Sequence, residues 1–215
     1  MATDESWVLY LLECSGERLY AGITNDLPAR FAAHCAGKGA RFDPSGAEDK
    51  LMQKLPGGEA VAVVAARTLV SALPLVLAVV RPGAEALAAA LRDTGCQVID
   101  CPTADQGMGA SLVCALSQMR ASAGWVIALA DMPYMQASTI VAVADALRRD
   151  GGIAQPIHQG QRGNPVGFGR RHLPQLLALG GDQGARSLLK MHPVVDVAVD
   201  DAGILQDIDT RSDLV

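Results

Sequence analysis

Short apolar runs and amphipathic stretches succeed one another along this chain, and their spacing predicts most of its elements. The run over 7–14 predicts a strand; Ser15-Gly16 supplies a turn, and 18–23 predicts its hairpin partner. Asn25 or Asp26 can then cap a helix with Pro28 in its first turn, an Ala-rich body over 29–36 and Gly37 as its stop. Residues 38–58 are rich in Gly, Pro and charge and read as a long functional loop. Beyond them the period switches between 3.6 and a continuous apolar run. Helices are predicted over 59–71, 83–94, 108–121 and 136–149, and strands over 75–80, 97–100, 125–130 and 152–155. The last stretch is less regular, with a helix over 184–190, a strand over 194–199 and a short helix over 210–214.

This alternation implies an α/β fold: a mostly parallel sheet with helices on both faces, preceded by the hairpin and its helix. Composition agrees. Half of the 215 residues are hydrophobic but only 4% are aromatic, so one core is built from Ala, Val, Leu and Ile. The net charge of −5 creates no field that attracts nucleic acid, so phosphate binding has to come from local loops. The five cysteines show no metal-ligand spacing and read as free thiols of a reducing compartment. The first six residues are acidic and polar, without the basic start of a secretion signal, which predicts a cytoplasmic protein. The longest apolar run, 71–80, contains Pro74 and is too short to span a bilayer.

In an open parallel sheet, ligands bind beyond the carboxyl ends of the strands. Gly37-Lys38-Gly39-Ala40-Arg41, with Lys50 beyond, offers backbone that can approach a phosphate closely, together with cations. Arg81 ends a predicted strand at the same edge. Gln106-Gly107-Met108-Gly109-Ala110-Ser111 opens a helix and can hold a base or ribose through backbone groups. Asp131 follows a buried strand directly and is stiffened by Pro133, so it is either a Mg²⁺ ligand or a cap for the helix after it. The segment 162–168 is glycine-rich and can cup a substrate, and 181–186 can bind an anion or simply cap a turn. Asp207 and Asp209 fall on one face of an extended segment and can complete a metal site with Asp131, while Asp209 also suits a cap for the last helix. His158, His172 and His192 lack metal-ligand spacing; His172, after Arg170 and Arg171, reads as a surface cation.

Taken together, these loops resemble those of the MobA-like NTP transferases, most closely molybdenum cofactor cytidylyltransferase. The resemblance covers roughly 35–215 and runs through 37–41 with Lys50-Leu51, 81–83, 106–112, 129–133, 163–168, 181–186 and 207–214. It implies a Rossmann-like sheet and transfer of a nucleotide from an NTP to a phosphorylated acceptor such as molybdopterin. It also implies roles. Gly37, Gly39, Arg41 and Lys50 would hold the triphosphate, with Arg81 beside them, and Gly107, Gly109 and Ser111 would face the base. Asp131, with Asp207 or Asp209, would hold Mg²⁺, Asn164 and Pro165 would lie on the acceptor side, and Arg41, Lys50 and Asp131 would carry the catalysis. Ala36-Gly37 resembles the cytidylyl form of the loop, which favours CTP over GTP.

Residues 7–41 resemble a different family, the GIY-YIG endonucleases. Tyr10 and Tyr20 lie on its two strands and Arg30 and His34 on its first helix. That family's activity also needs a later helical Glu to bind metal, and no matching helix follows.

The expected organisation is therefore a partial GIY-YIG-like segment over 1–36 and a MobA-like domain over 37–215. The join poses a conflict. The transferase fold expects its central strand directly before the glycine loop, where 30–36 has helix chemistry. Three outcomes are open: that segment is forced into a strand, the 7–13 strand takes over, or the sheet lacks its first member. A left-over half-domain exposes strand edges, which favours a homodimer. The rival functions are a GIY-YIG-type DNA endonuclease and a non-catalytic nucleotide-binding fusion.

Overall fold

The central strand of the sheet comes from the N-terminal segment. In the computed structural model, which describes residues 7–12 (as backbone), 50–180 and 184–214, β1 (Trp7–Leu12) lies between β2 (Leu75–Val80) and β4 (Gly124–Leu129). It runs parallel to both, with Leu12 level with Val79 on one side and Leu129 on the other. Of the three outcomes for the join, the structure shows the second. The predicted partner strand over 18–23, the helix over 25–36 and the glycine loop with Gly37, Gly39 and Arg41 lie outside the described residues.

The remaining strands are β3 (Gln97–Asp100), β5 (Ile153–His158), β6 (Gln161–Arg162), β7 (Val166–Gly169) and β8 (Val194–Ala198). The order is β3-β2-β1-β4-β7-β5-β6, with β8 on the other side of β5. The half around β1 is parallel. On the other half β7 runs antiparallel to both β4 and β5, and β8 runs parallel to β5. Six strands, β1, β2, β3, β4, β5 and β8, therefore run one way, so the sheet is mostly parallel as expected, and it departs from that only in the antiparallel β6 and β7. The reason is local: 161–169 forms a short hairpin arm and returning strand where the glycine-rich sequence had suggested only a loop.

Helices α1 (Val61–Ala72), α2 (Glu85–Asp93), α3 (Met108–Gln118), α4 (Ala137–Asp150), α5 (Leu173–Leu177) and α6 (Arg186–Met191) cover the two faces. Alternation along the strands sorts the core. Val76, Ala78, Val80, Val126 and Ala128 face α1, α2 and α4, whereas Leu77, Val79, Trp125 and Ile127 face α3, α5 and α6. Both faces rely on small aliphatic side chains; Trp125 and Phe168 are the buried aromatic anchors of the second. A third small cluster joins Leu55 and Val61 at the start of α1 to Ile208 near the C-terminus. No helix among the described residues is long and apolar enough to cross a membrane.

Candidate functional site

Strand register gathers the predicted loops at one edge. β1, β2, β3 and β4 all end there, with Leu12 beside Val79 and Leu129, and Val80 beside Asp100. Arg81, the 101–107 loop and Asp131 therefore follow strand ends at the same edge. Because β7 is antiparallel to β4, with Val166 opposite Ile127, the Asn164-Pro165 pair just before it reaches that edge too. The Asn164–Pro165 peptide is cis. The tail 199–209 emerges from β8 at the same side, since β8 runs with β5.

Three of the predicted residues are in direct contact. Lys50 Nζ donates to Asp131 Oδ2 at 2.8 Å and to Asp209 Oδ1 at 3.3 Å. Lys50 opens a short 3-10 turn (Lys50–Met52) whose next residue, Leu51, is buried in the core, and this pins the ammonium inward. The stretch after it is stitched by Val61 N donating to Gln53 O and Leu55 N to Glu59 O. Asp131 is 3% exposed and sits just past β4, away from the start of α4, whose cap position is Gln136. The capping alternative for Asp131 is not what the structure shows. The 207–209 segment is fixed by Ile208, whose side chain fills the third cluster and whose amide donates to Asp131 O at 2.9 Å. The terminal turn is closed by Asp213, which accepts from the amides of Asp209 and Thr210, while the side chain of Asp209 goes to Lys50.

Burial, reinforced by the carboxylates of Asp209 and Asp131, holds Asp207 above the ordinary carboxylate range. Three carboxyl groups thus share one field, with a single ammonium between two of them. Asp131 Oδ1 is buried without a hydrogen-bond partner. Among the described residues no group of three or more His, Cys, Asp or Glu side chains is arranged to hold a metal on its own. Mg²⁺ does not need one, because it is usually held by one or two carboxylates together with substrate phosphates and water. Hard oxygen donors, an orphaned carboxylate oxygen and a cation already lodged between Asp131 and Asp209 fit such an ion.

The other predicted residues stand along the edge rather than in this cluster. Gly107 begins α3 with φ +120°, a conformation that favours glycine. Gly109 and Ser111 are buried in its first turn, and the Ser111 hydroxyl has no partner. Arg81 is half-buried next to the 101–107 loop, where Cys101 N donates to Val80 O. Asn164 is linked to the tail through its amide, which donates to Ile204 O at 2.9 Å.

Two residues here escaped the sequence reading. Gln155, 8% exposed in β5, donates through Nε2 to Gly163 O and steadies the Asn164 loop. Asp201, 2% exposed, accepts from the amides of Gln136 and Gly203 and from the Thr139 hydroxyl. The Asp-x-Gly spacing of Asp201 and Gly203 was the available signal, as an Asx-type turn. His172 corrects an expectation. It is 4% exposed, packed edge-on against His192 at a ring distance of 4.8 Å and near Phe168, and is no surface cation.

The MobA-like NTP transferase domain pattern matches residues 35–197. The chain therefore belongs to the MobA-like NTP transferase family, a family of nucleotidyltransferases that bind nucleotide substrates. A second match, to the GIY-YIG catalytic domain, covers 6–52 and overlaps the first. Within that segment a UPF0213 protein of Cupriavidus necator is 53% identical over 45 residues, which are 21% of this chain and 49% of that protein. The chain thus spans about half the length of these curated UPF0213 relatives.

Among solved structures, Rv0371c of Mycobacterium tuberculosis is similar with a TM-score of 0.71 at 23% identity, covering 99% of this chain and 96% of that one. Its manganese complex gives 0.68 at 20% identity over 97% and 95%. A nucleotidyl transferase of Methanothermobacter gives 0.66 at 19% over 97% and 93%. The molybdopterin-guanine dinucleotide biosynthesis protein A of Archaeoglobus fulgidus gives 0.57 at 17% over 97% and 94%. At these identities the likeness is one of fold.

Proposed function

We propose that this chain is a Mg²⁺-dependent nucleotidyltransferase that moves CMP from CTP to a phosphorylated acceptor such as molybdopterin. The observation that carries the proposal is the Lys50–Asp131–Asp209 cluster, with its unpartnered Asp131 oxygen, at the carboxyl edge of a sheet of this family. Family membership supports transfer from an NTP. Two fold relatives, a manganese complex and a molybdopterin-guanine dinucleotide biosynthesis protein, support the divalent ion and the acceptor. The preference for CTP rests on Ala36-Gly37.

In this reading an acceptor phosphate oxygen bonds to the α-phosphorus while the bond to the β-phosphate oxygen breaks, and pyrophosphate leaves with that electron pair. Asp131 and Asp209, with Asp207 beside them, would hold Mg²⁺, which when bound neutralises charge on the triphosphate and on the departing pyrophosphate. Lys50 serves as a cation buried at the reaction edge, where electrostatic stabilisation is far stronger than in water. Gly37, Gly39 and Arg41 would cradle the triphosphate with Arg81 beside it. Gly107, Gly109 and Ser111 would meet the base, Ser111 from a buried position in which its hydroxyl has no other hydrogen-bond partner. Asn164 and Pro165 would meet the acceptor. The boundary between 1–36 and 37–215 is then one between two family resemblances and not between packing units, because β1 lies at the centre of the sheet. The free thiols Cys96, Cys101 and Cys114 accord with a cytoplasmic setting.

Pyrophosphate release from CTP, Mg²⁺ and molybdopterin tests the proposal. Asp131→Ala should abolish release while leaving the circular dichroism spectrum intact; unchanged turnover would remove the assignment. The GIY-YIG match supports a second reading, a DNA endonuclease using Tyr10, Tyr20, Arg30 and His34. Cleavage of branched DNA that disappears in Tyr20→Phe would establish it.

A further inference from the structure

The tail that brings Asp209 to Lys50 is held by a residue remote from any reacting atom. Asp201 Oδ2 accepts from Gln136 N at 2.9 Å and from Thr139 Oγ1 at 2.6 Å, and its Oδ1 accepts from Gly203 N at 3.0 Å. The two donors to Oδ2 belong to the start of α4, which lacks a side-chain cap of its own and has no acidic residue in its first turn. A carboxylate is the group such a helix end favours, and its hydrogen bonds are charge-assisted.

The contacts that follow along the tail are equally close. A Cβ on Gly203 would overlap the Tyr134 carbonyl oxygen, so this turn lies directly on the 134–135 backbone. Ile204 O accepts from Asn164 N, and a Cβ on Gly163 would overlap that same carbonyl. Four residues on, Ile208 N donates to Asp131 O. One segment, 201–209, therefore joins the loop after β4 that carries Asp131, the Asn164 loop and its own carboxylates Asp207 and Asp209. Asp201 is the buried charged group that fastens its beginning.

We propose that Asp201 is a positioning residue, whose carboxylate clamps 201–209 across the start of α4 and so sets Asp209 and the Asn164 loop against Asp131. The clamp rests on the reading of Asp131 and Asp209 as cation ligands. Asp201 touches neither substrate nor ion. It acts as outer groups of metal sites do, by fixing the orientation of the groups that bind.

The test uses the full chain and Mn²⁺ alone, with free Mn²⁺ read by electron paramagnetic resonance and amide hydrogen exchange read in parallel. Asp201→Asn puts an amide NH₂ against a backbone donor. It should weaken Mn²⁺ binding by about 10-fold or more, as losses of supporting groups around metal sites do. It should also speed exchange of the Asn164 and Ile208 amides. Thr139→Val should weaken binding in the same direction, and Thr139→Ser, which keeps the hydroxyl, should bind as the wild type does. A folded Asp201→Asn protein with wild-type Mn²⁺ affinity overturns the clamp. If Asp201→Asn does not fold, equal affinities of Thr139→Val and Thr139→Ser overturn it. A wild type that binds no Mn²⁺ brings down the metal reading of Asp131 itself, and the clamp with it.

Discussion

Lys50 and Asp131 lie 81 positions apart in the chain and 2.8 Å apart in the structure, both nearly closed to solvent. Asp209 reaches the same ammonium at 3.3 Å from near the C-terminus. Such a pair is expensive to bury and expensive to break, because removing one partner strands the other's charge. Under the proposed function that cost has a use at the carboxyl edge of the sheet, where Lys50 would meet phosphate and Asp131 a divalent ion.

Lys50→Met should therefore destabilise the protein by about 3–5 kcal/mol, the range for breaking a buried ion pair. Urea unfolding measures it. Because the change leaves Asp131 and Asp209 uncompensated, Mg²⁺ or Mn²⁺ should recover part of the loss in Lys50→Met and should do less in Lys50→Met combined with Asp131→Asn. A Lys50→Met protein as stable as the wild type without added metal contradicts the pairing.

Ile208 separates Asp207 from Asp209 and turns its side chain into the cluster with Leu55 and Val61, at 1% exposure. Ile208→Ala should cost about 2–5 kcal/mol, as truncation of a buried aliphatic side chain does. It should also loosen the tail, so that amide exchange at Ile208 and Asp209 rises together. Denaturant unfolding and hydrogen exchange check the two halves of this expectation.

The buried imidazole of His172 is held below its ordinary range, first by desolvation and further by the charges of His192 and Arg171, with the Gln175 hydrogen bond opposing. A depressed folded-state value means that the unfolded chain takes up a proton first as pH falls. The contribution is fully present above the unfolded value, near 6.5, and is lost as pH falls toward the folded one. Stability measured by urea should thus decline between neutral and mildly acidic pH, and His172→Gln should decline less. Parallel declines would remove His172 as the cause.

Burial and the neighbouring Cys101 thiol push the Cys114 thiol up to about 11. Since the thiolate is the nucleophile, native Cys114 should resist iodoacetamide at pH 8 and react only when the protein unfolds. Mass spectrometry of the peptide containing Cys114 reads this directly. The same shift predicts that this group's contribution to stability is kept below pH 9.0, its unfolded value, and lost as pH rises towards 11.

The apolar runs were legible because they obey a period: 75–80 and 125–130 predict strands that the structure places at Leu75–Val80 and Gly124–Leu129. β7 was not legible because its sequence, Val-Gly-Phe-Gly, has poor strand propensity. Its glycines answer to packing instead. A Cβ on Gly167 would come within 2.6 Å of Leu147, and one on Gly169 would overlap the Gly151 carbonyl oxygen. His172 looked exposed because two arginines precede it, yet its ring closes on Phe168 and His192 through contacts that a linear reading does not contain. The Asp131 and Lys50 placements were legible from their loops, whereas the clamp made by Asp201 was hidden because Gln136 and Thr139 lie more than sixty positions away and only the turn to Gly203 is local. The central strand was the sharpest ambiguity. The transferase fold expects a strand just before residue 37, where 30–36 has helix chemistry, and tertiary pairing gives the central place to Trp7–Leu12.

The most direct test of the account is calorimetric titration of the full chain with CTP in the presence of Mg²⁺, compared with Asp131→Asn. The expected result is Mg²⁺-dependent binding that favours CTP over GTP. Asp131→Asn should weaken this binding by about 100-fold, the scale on which buried electrostatic groups act. No binding at millimolar nucleotide, or equal binding by Asp131→Asn, would contradict it.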